Sequence, residues 1–528
     1  MTWKFFGALF AFCIVYFGFL AAVPAFVDPD AFYHAKMAQL IAEQRGPVHN
    51  FPWLSMTAFA DPFVDHQFLY HVLLVPFVIA FPPLVGIKVA TVLFASLFIV
   101  FFAWLAFNRS EVRGKRLEVL LLLLLLTHAG FIFRLNLAKT SAVSLLFFFG
   151  VIACILYGRT VLLGILSFFY VWLYGGWPLV LVVTGIAWFT RTLLEARSLK
   201  LETQELGWGF KLQASSFKAL KHLLRWQNIK IPLAAFIGCA AGLIFNPYFP
   251  ANLKFYALQT LQFPLSTGAP PVGVGGEWYG AGISFVPSNV ILILCVLAAI
   301  GALVATRRFT FEPVFLFGLT ACFALLAIKS NRHIEYFAPV AFLFIGRVLL
   351  PALAQIPLLS EPFISLAHRI SRRSLRFHYI AAYLLVAFGF VIFIGSQSLI
   401  SAYRSAQFFR FNAFDGAAAW LAKNTPAGSR VWHDRWDDFP LLFFADPHNI
   451  YISGLDPRFL CAKNEQLCRE YEQIMDGTAK HGIAQMISRD FKSSVAIVRA
   501  INTPLIEKLE KEKAKKVYED LFMKIFAL

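Results

Sequence analysis

Runs of about twenty apolar residues, separated by polar loops, recur along residues 1–400 of this 528-residue chain. A helix rises about 1.5 Å per residue, so a run of about twenty crosses the roughly 30 Å hydrocarbon core of a bilayer. The pattern predicts about eleven spans, near 4–26, 85–107, 117–134, 140–157, 161–175, 177–193, 231–246, 284–305, 312–329, 334–350 and 379–400. The first run is longer than the apolar core of a secretory signal and follows a single Lys4, so it reads as a retained span. Segment 67–83 is apolar but broken by Pro76, Pro82 and Pro83. It reads as a helix lying on or dipping into the membrane surface, because a full span there would place the next basic cluster on the wrong face.

Beyond residue 400 the pattern changes. Charge rises to ordinary levels, and short alternating stretches such as Val495-Ala496-Ile497-Val498 predict strands. Lys and Glu at helical spacing over 505–525 predict a closing surface helix. The expected architecture is an α-helical polytopic membrane protein with about eleven transmembrane helices and a C-terminal mixed α/β domain on the non-cytoplasmic side. Residues 1–400 form the membrane domain, with long outer loops at 27–84 and 247–283, and residues 401–528 form the second domain.

Composition agrees. Apolar residues make up 59% and charged residues 15%, against roughly 45–50% and 25% in soluble domains. So few charges could not cover a water-soluble surface of this size. The net charge of +17 matters through its placement. Arg109, Arg113, Lys115 and Arg116 form one cluster, and Lys211, Lys218, Lys221, Arg225 and Lys230 another. Arg307 with Arg308, and Arg369, Arg372, Arg373 and Arg376, complete the set. All fall in loops on one face, the positive-inside pattern, with the N-terminus inside and the C-terminal domain outside. Membrane lipids are therefore expected partners and nucleic acid is not. Five cysteines lie in spans; Cys461 and Cys468, in the outer domain, either pair in an oxidising compartment or stay as two thiols.

Chemistry concentrates in the outer loops. Asp28-Pro29-Asp30 places two carboxylates on one side of a stiffened stretch, suited to holding a hard cation or accepting a proton. Capping of a helix over 31–45 accounts for Asp30 and leaves Asp28 unexplained. The segment from Asp61 to His71 adds Asp65 and His66, and its two histidines are not at the i, i+4 spacing of a helical zinc pair. Glu277 stands in a Gly-rich stretch, Gly273 to Gly280, that could swing over a site as a lid. Arg134, Lys139, Lys329, Arg332 and His333 are cations on the outer face, against the prevailing trend. They suit a lipid phosphate or snorkel to headgroups.

These residues in this order resemble the GT-C membrane glycosyltransferases, which use polyprenol-linked sugars. Within that class they look most like the catalytic subunits of oligosaccharyltransferase, bacterial single-chain relatives included. Asp28-Pro29-Asp30-Ala31-Phe32-Tyr33-His34 is similar to the family's first-loop motif, and Asp61 through His71 followed by Pro76 to the later part of that loop. Ala419 to Pro426, leading to Val431-Trp432-His433-Asp434-Arg435-Trp436-Asp437, looks like the start of the family's outer domain and its Trp-Trp-Asp motif, with His433 in place of the second Trp. The resemblance implies catalysis by Asp28, Asp30 and Glu277, and donor-phosphate binding by Arg332, His333 and Arg134. It implies a divalent cation, Mg or Mn, on Asp28. The family's second outer loop supplies an acidic pair that Arg134 to Lys139 lacks, so Asp61, Asp65 and His66 are expected to complete the metal set. Trp432, Asp434 and Trp436 are expected to meet the acceptor.

The function so implied is transfer of a sugar or oligosaccharide from a polyprenyl-(pyro)phosphate donor to a protein, lipid or glycan acceptor. It is placed at the outer face of a bacterial inner membrane, with the C-terminal domain periplasmic. The alternatives are a GT-C transferase acting on a lipid or polysaccharide, and a transporter of glycan-lipid. Transporters carry functional charge within their spans near the midplane, whereas here the acids sit in loops. The enzyme reading expects Asp28, Asp30, Glu277 and Arg332 to converge on one cavity.

Overall fold

The computed structural model describes residues 3–108, 116–205, 225–262, 273, 275–280, 282–353, 389–391, 393–397, 399–400, 409–479 and 482–528. Helices α1 (Trp3–Leu20), α2 (Asp30–Gln44), α3 (Phe68–Ala80) and α4 (Pro83–Phe107) come first. A bent pair follows, α5 (Arg116–Leu126) and α6 (Ala129–Leu135), then α7 (Ser141–Tyr157), α8 (Thr160–Leu173) and α9 (Pro178–Glu205). The membrane part continues with α10 (Trp226–Ile244), α11 (Ala251–Tyr256), α12 (Phe285–Thr306), α13 (Phe311–Lys329) and α14 (Ile334–Leu353).

Among the described residues seven helices are long and apolar enough to cross a membrane, or eight if the bent pair is one span. Helices α7 and α8 are apolar but shorter. The expected span at 379–400, the basic clusters at 109–115, 211–221 and 369–376, and the domain division at residue 400 lie wholly or largely outside the described residues. Helix α3 is likewise apolar and short, with 13 residues and a length of about 20 Å; Pro82 and Pro83 follow its end and open α4.

One expected span differs. The 117–134 segment bends by 70° between α5 and α6. No proline marks the break. His128 Nδ1 instead accepts the Phe131 N–H at 3.2 Å, capping α6, while His128 Nε2 meets Asn289 Oδ1 at 2.9 Å. A capping side chain with a tertiary partner is invisible in a hydropathy pattern. The bend matters because it sets Arg134, in the last turn of α6, against the loops.

Helices α8 and α10 approach closely through small residues. A Cβ at Gly238 would lie 2.2 Å from the Gly164 carbonyl oxygen, and one at Gly242 would lie 2.6 Å from that of Phe168. Small residues four apart allow such contact between membrane helices, where packing replaces hydrophobic drive.

The C-terminal part is a five-stranded mixed sheet in the order β2-β1-β3-β5-β4. Strands β1 (Arg430–His433), β2 (Ile450–Tyr451) and β3 (Val495–Arg499) are parallel, and β5 (Met523–Ala527) runs antiparallel to β3 and to β4 (Lys515–Glu519). The expected closing helix over 505–525 is corrected here. A helix occupies only Thr503–Lys511, and the β4–β5 hairpin follows. Asp520 sets the hairpin turn by accepting the Phe522 and Met523 N–H groups at 2.8 and 2.7 Å. Charged residues on the exposed β4 had imitated a solvated helix face. Cys461 and Cys468 form a disulfide between neighbouring helices.

The small sheet docks on the first loop. Phe26 N–H donates to the Phe409 carbonyl at 2.9 Å, and Ala25 bridges Arg410. Tyr33 and Phe51 pack on Phe443, with ring centroids 6.0 and 5.3 Å apart. This aromatic seam holds the start of α2 under the loop that follows β1.

Candidate active site

Where the loops meet the small sheet lies a cavity of about 930 Å³. Asp28 and Asp30 reach it from the start of α2, Arg134 from the end of α6, Lys139 from the turn before α7, and Glu277 from the turn Gly276–Trp278. Arg435, Trp436 and Asp437, just beyond β1, form the opposite wall.

The acidic pair is built differently from its expectation. Asp28 Oδ1 accepts the Asp30 N–H at 3.0 Å, so Asp28 satisfies the exposed end of α2 and Asp30 is the first helical residue. Lys139 Nζ lies 2.8 Å from Asp28 Oδ2 and 2.8 Å from Asp30 Oδ2. Burial pushes the Asp30 carboxyl up to about 7, with Lys139 opposing and Asp28 reinforcing. The same burial disfavours the Lys139 ammonium, but Asp28, Asp30 and Glu277 outweigh it and hold its pKa well above the ordinary lysine value.

Arg134 is held between two acids. Arg134 Nη1 lies 2.6 Å from Glu277 Oε2, and Arg134 Nε lies 2.8 Å from Glu335 Oε2. Burial acts to raise the Glu277 carboxyl, yet Lys139, Arg134 and Arg332 together bring it well below the usual carboxylate range. Arg134 was expected to hold phosphate; the structure commits it to two acids. Arg332 stands beside the cavity rather than in its wall. Its Nη2 donates to the Tyr174 hydroxyl at 2.6 Å, and its guanidinium lies 4.7 Å from the Trp278 ring, which does line the cavity. His333 is likewise outside the lining, with Nδ1 buried and unpartnered among the described residues.

The metal set expected from Asp28, Asp61, Asp65 and His66 is not assembled. Asp61 is 75% exposed and 3.3 Å from Lys463 of the small domain. Asp65 is buried and takes the His71 Nδ1 contact at 2.7 Å, and His71 Nε2 meets His34 Nδ1 at 2.8 Å. The His66 ring stacks on Phe255 at 5.0 Å. None of the three lines the cavity, and among the described residues no group of three or more His, Cys, Asp or Glu could hold a metal ion. Each side chain has been taken by a nearer partner, and Asp28 already shares its ammonium with Asp30. Among the described residues this set therefore does not fit a divalent cation.

The acceptor set divides as well. Trp432 is buried in the small-domain core against Tyr471. Asp434 is buried and accepts the Arg499 N–H at 3.2 Å and Asn502 Nδ2 at 2.8 Å. Only Trp436 of the three faces the cavity, its Nε1 donating to the Gly273 carbonyl at 3.0 Å. Trp432 lies within β1, where Val431, Trp432 and His433 are all buried, whereas the chain leaving the strand brings Arg435, Trp436 and Asp437 to the cavity. Arg435 and Asp437, joined at 2.9 Å, belong to the motif stretch but had no expected role at the site. Lys139 had been grouped with the outward cations, and no sequence signal tied it to the acidic pair.

No family model matches the sequence, and no curated protein matches it. Solved structures do. The oligosaccharyltransferase of Archaeoglobus fulgidus in the apo form aligns at a TM-score of 0.61 and 13% identity, over 94% of this chain and 70% of that one. The archaeal oligosaccharyltransferase AglB from the same organism, in complex with an inhibitory peptide and a dolichol-phosphate, aligns at 0.59 and 12%, over 94% and 70%. ArnT from Cupriavidus metallidurans, bound to undecaprenyl phosphate, aligns at 0.55 and 14%, over 100% and 98%. The apolar helices, the small mixed sheet and these neighbours together show that the chain is a multi-pass membrane protein with the GT-C glycosyltransferase fold.

Proposed function

We propose that the protein transfers a sugar or oligosaccharide from a polyprenyl phosphate or pyrophosphate to an acceptor at the outer face of a bacterial inner membrane, with the small sheet in the periplasm. The observation that carries this reading is the meeting of Asp28, Asp30, Lys139 and Glu277 in one cavity, although their positions in the chain are far apart. The lipid phosphates in two neighbour structures and the inhibitory peptide in one of them support a lipid-linked donor and a separate acceptor.

In the transfer, an acceptor O–H or N–H attacks the anomeric carbon. The new bond forms as the bond from that carbon to the phosphate oxygen breaks, and the phosphate leaves with the bonding electrons. The acceptor proton passes to the Asp28 and Asp30 pair, which orients the nucleophile. Positive charge from Lys139, and from Arg332 behind Trp278, stabilises the phosphate, and the His333 imidazole beside Arg332 adds a polar contact. Arg134 acts through Glu277 by fixing its position. Trp436 offers an aromatic face to the acceptor, while Trp432 and Asp434 support the wall from within. Among the described residues the donor set does not fit Mg or Mn.

A transporter of glycan-lipid is the competing reading, and the acids at the loop end of the helix bundle count against it. Mass spectrometry of glycans, glycolipids and glycoproteins from source-cell membranes with and without the protein decides between them. Loss of one glycoconjugate, with its lipid-linked donor accumulating on the outer leaflet, is the expected result. Donor retained on the inner leaflet would point to transport instead.

A further inference from the structure

We infer that Lys139 is the built-in cation of the Asp28–Asp30 pair, so that this centre works with an ammonium where a divalent metal would otherwise sit. The inference rests on the transferase reading of the cavity and adds to it the nature of the counter-charge. Two carboxylates converging at the head of one helix repel each other unless a proton or cation lies between them. Here Nζ lies 2.8 Å from an oxygen of each. A hard divalent cation of the magnesium type takes about six oxygen ligands at about 2.0–2.1 Å in near-octahedral geometry. The position between Asp28 and Asp30 is taken by a side chain fixed in the turn before α7, only 14% exposed.

The sequence of that turn carries the same message. Arg134-Leu135-Asn136-Leu137-Ala138-Lys139 brings two cations to the cavity and no carboxylate. Around the acids most of the charge is already met: the four carboxylates of Asp28, Asp30, Glu277 and Glu335 face the three cations Lys139, Arg134 and Arg332. An ammonium has three N–H donors, of which the carboxylates take two. The third is assigned to a phosphate oxygen of the donor. Lys139 thereby links the acids to the leaving group.

Equilibrium binding of Mn(II) to the purified full-length protein, read by electron paramagnetic resonance, tests this without any transfer assay. The wild type is expected to show no stoichiometric Mn(II) site, and its transfer activity, where assayed, to survive EDTA. Lys139→Gln frees both carboxylates and is expected to bind Mn(II) at least about tenfold more tightly than the wild type. Lys139→Arg keeps a cation there and is expected to bind as little as the wild type. A single site in the wild type, as tight as or tighter than in Lys139→Gln, would overturn the inference, as would absence of binding in both proteins if activity needed added metal. If Lys139→Gln fails to fold, the wild-type titration alone decides, since one stoichiometric site there contradicts the inference and none supports it. Because the readout is metal binding, a failed transferase reading and a failed lysine assignment are told apart.

Discussion

Asp28→Asn lowers transfer by about 10²–10⁴-fold while leaving the protein folded. The substitution is chosen for what it keeps. Asn retains an oxygen that accepts the Asp30 N–H, so the start of α2 stays satisfied. What it loses is the charge that faces Lys139 at 2.8 Å and the ability to take a proton from the acceptor. Asp30→Asn is expected to cost a similar factor. Helix capping does not distinguish the two, because the capping oxygen belongs to Asp28 and the Asp30 carboxylate is free of that duty. Steady-state transfer from a lipid-linked donor, together with an unchanged thermal midpoint in detergent, is the measurement. Full activity in a well-folded Asp28→Asn protein would remove this residue from the mechanism.

Arg134→Ala destabilises the protein by about 3–5 kcal/mol, the cost of leaving a buried acid without its partner. Glu335 is only 1% exposed and its near cation is the Arg134 Nε, 2.8 Å away. Glu277 is 25% exposed and keeps the field of Lys139 and Arg332, so most of the penalty falls on Glu335. The double variant Arg134→Ala, Glu335→Gln should recover much of the lost stability, because the unpaired charge is then gone. Thermal unfolding of both proteins in the same detergent checks this. An unchanged midpoint in Arg134→Ala would show that the paired acids do not depend on the arginine.

Much of the architecture was legible because hydropathy reports burial in lipid directly. The short α3, which runs through Pro76 and stops before Pro82 and Pro83, was readable for the same reason. The bend at His128 was not, since its cause is a hydrogen bond to Asn289 on a helix far along the chain. The hairpin after Lys511 was hidden because the exposed Lys515, Lys516 and Glu519 of β4 continue the charged composition of the helix before it. At the site, Asp28, Asp30 and Glu277 stood out as acids in loops beside a membrane. Their partners did not, because pairing depends on which loops meet. Asp65 went to His71, Asp61 to Lys463, and Arg134 to Glu277 and Glu335, whereas Lys139 came to the acidic pair. The Trp432 to Asp437 stretch divided where β1 ends at His433, which a motif match does not resolve.

The most direct test of lipid-linked transfer is a product balance on the purified protein. Lipid-linked sugars extracted from the source membranes are incubated with the wild type and a membrane fraction supplying the acceptor. Released polyprenyl phosphate or pyrophosphate is then counted by mass spectrometry against sugar joined to acceptor. The account predicts equal amounts of the two, made by the wild type and lost in Asp28→Asn. Intact donor with no lipid phosphate released, in a folded wild-type protein given its acceptor, would contradict it.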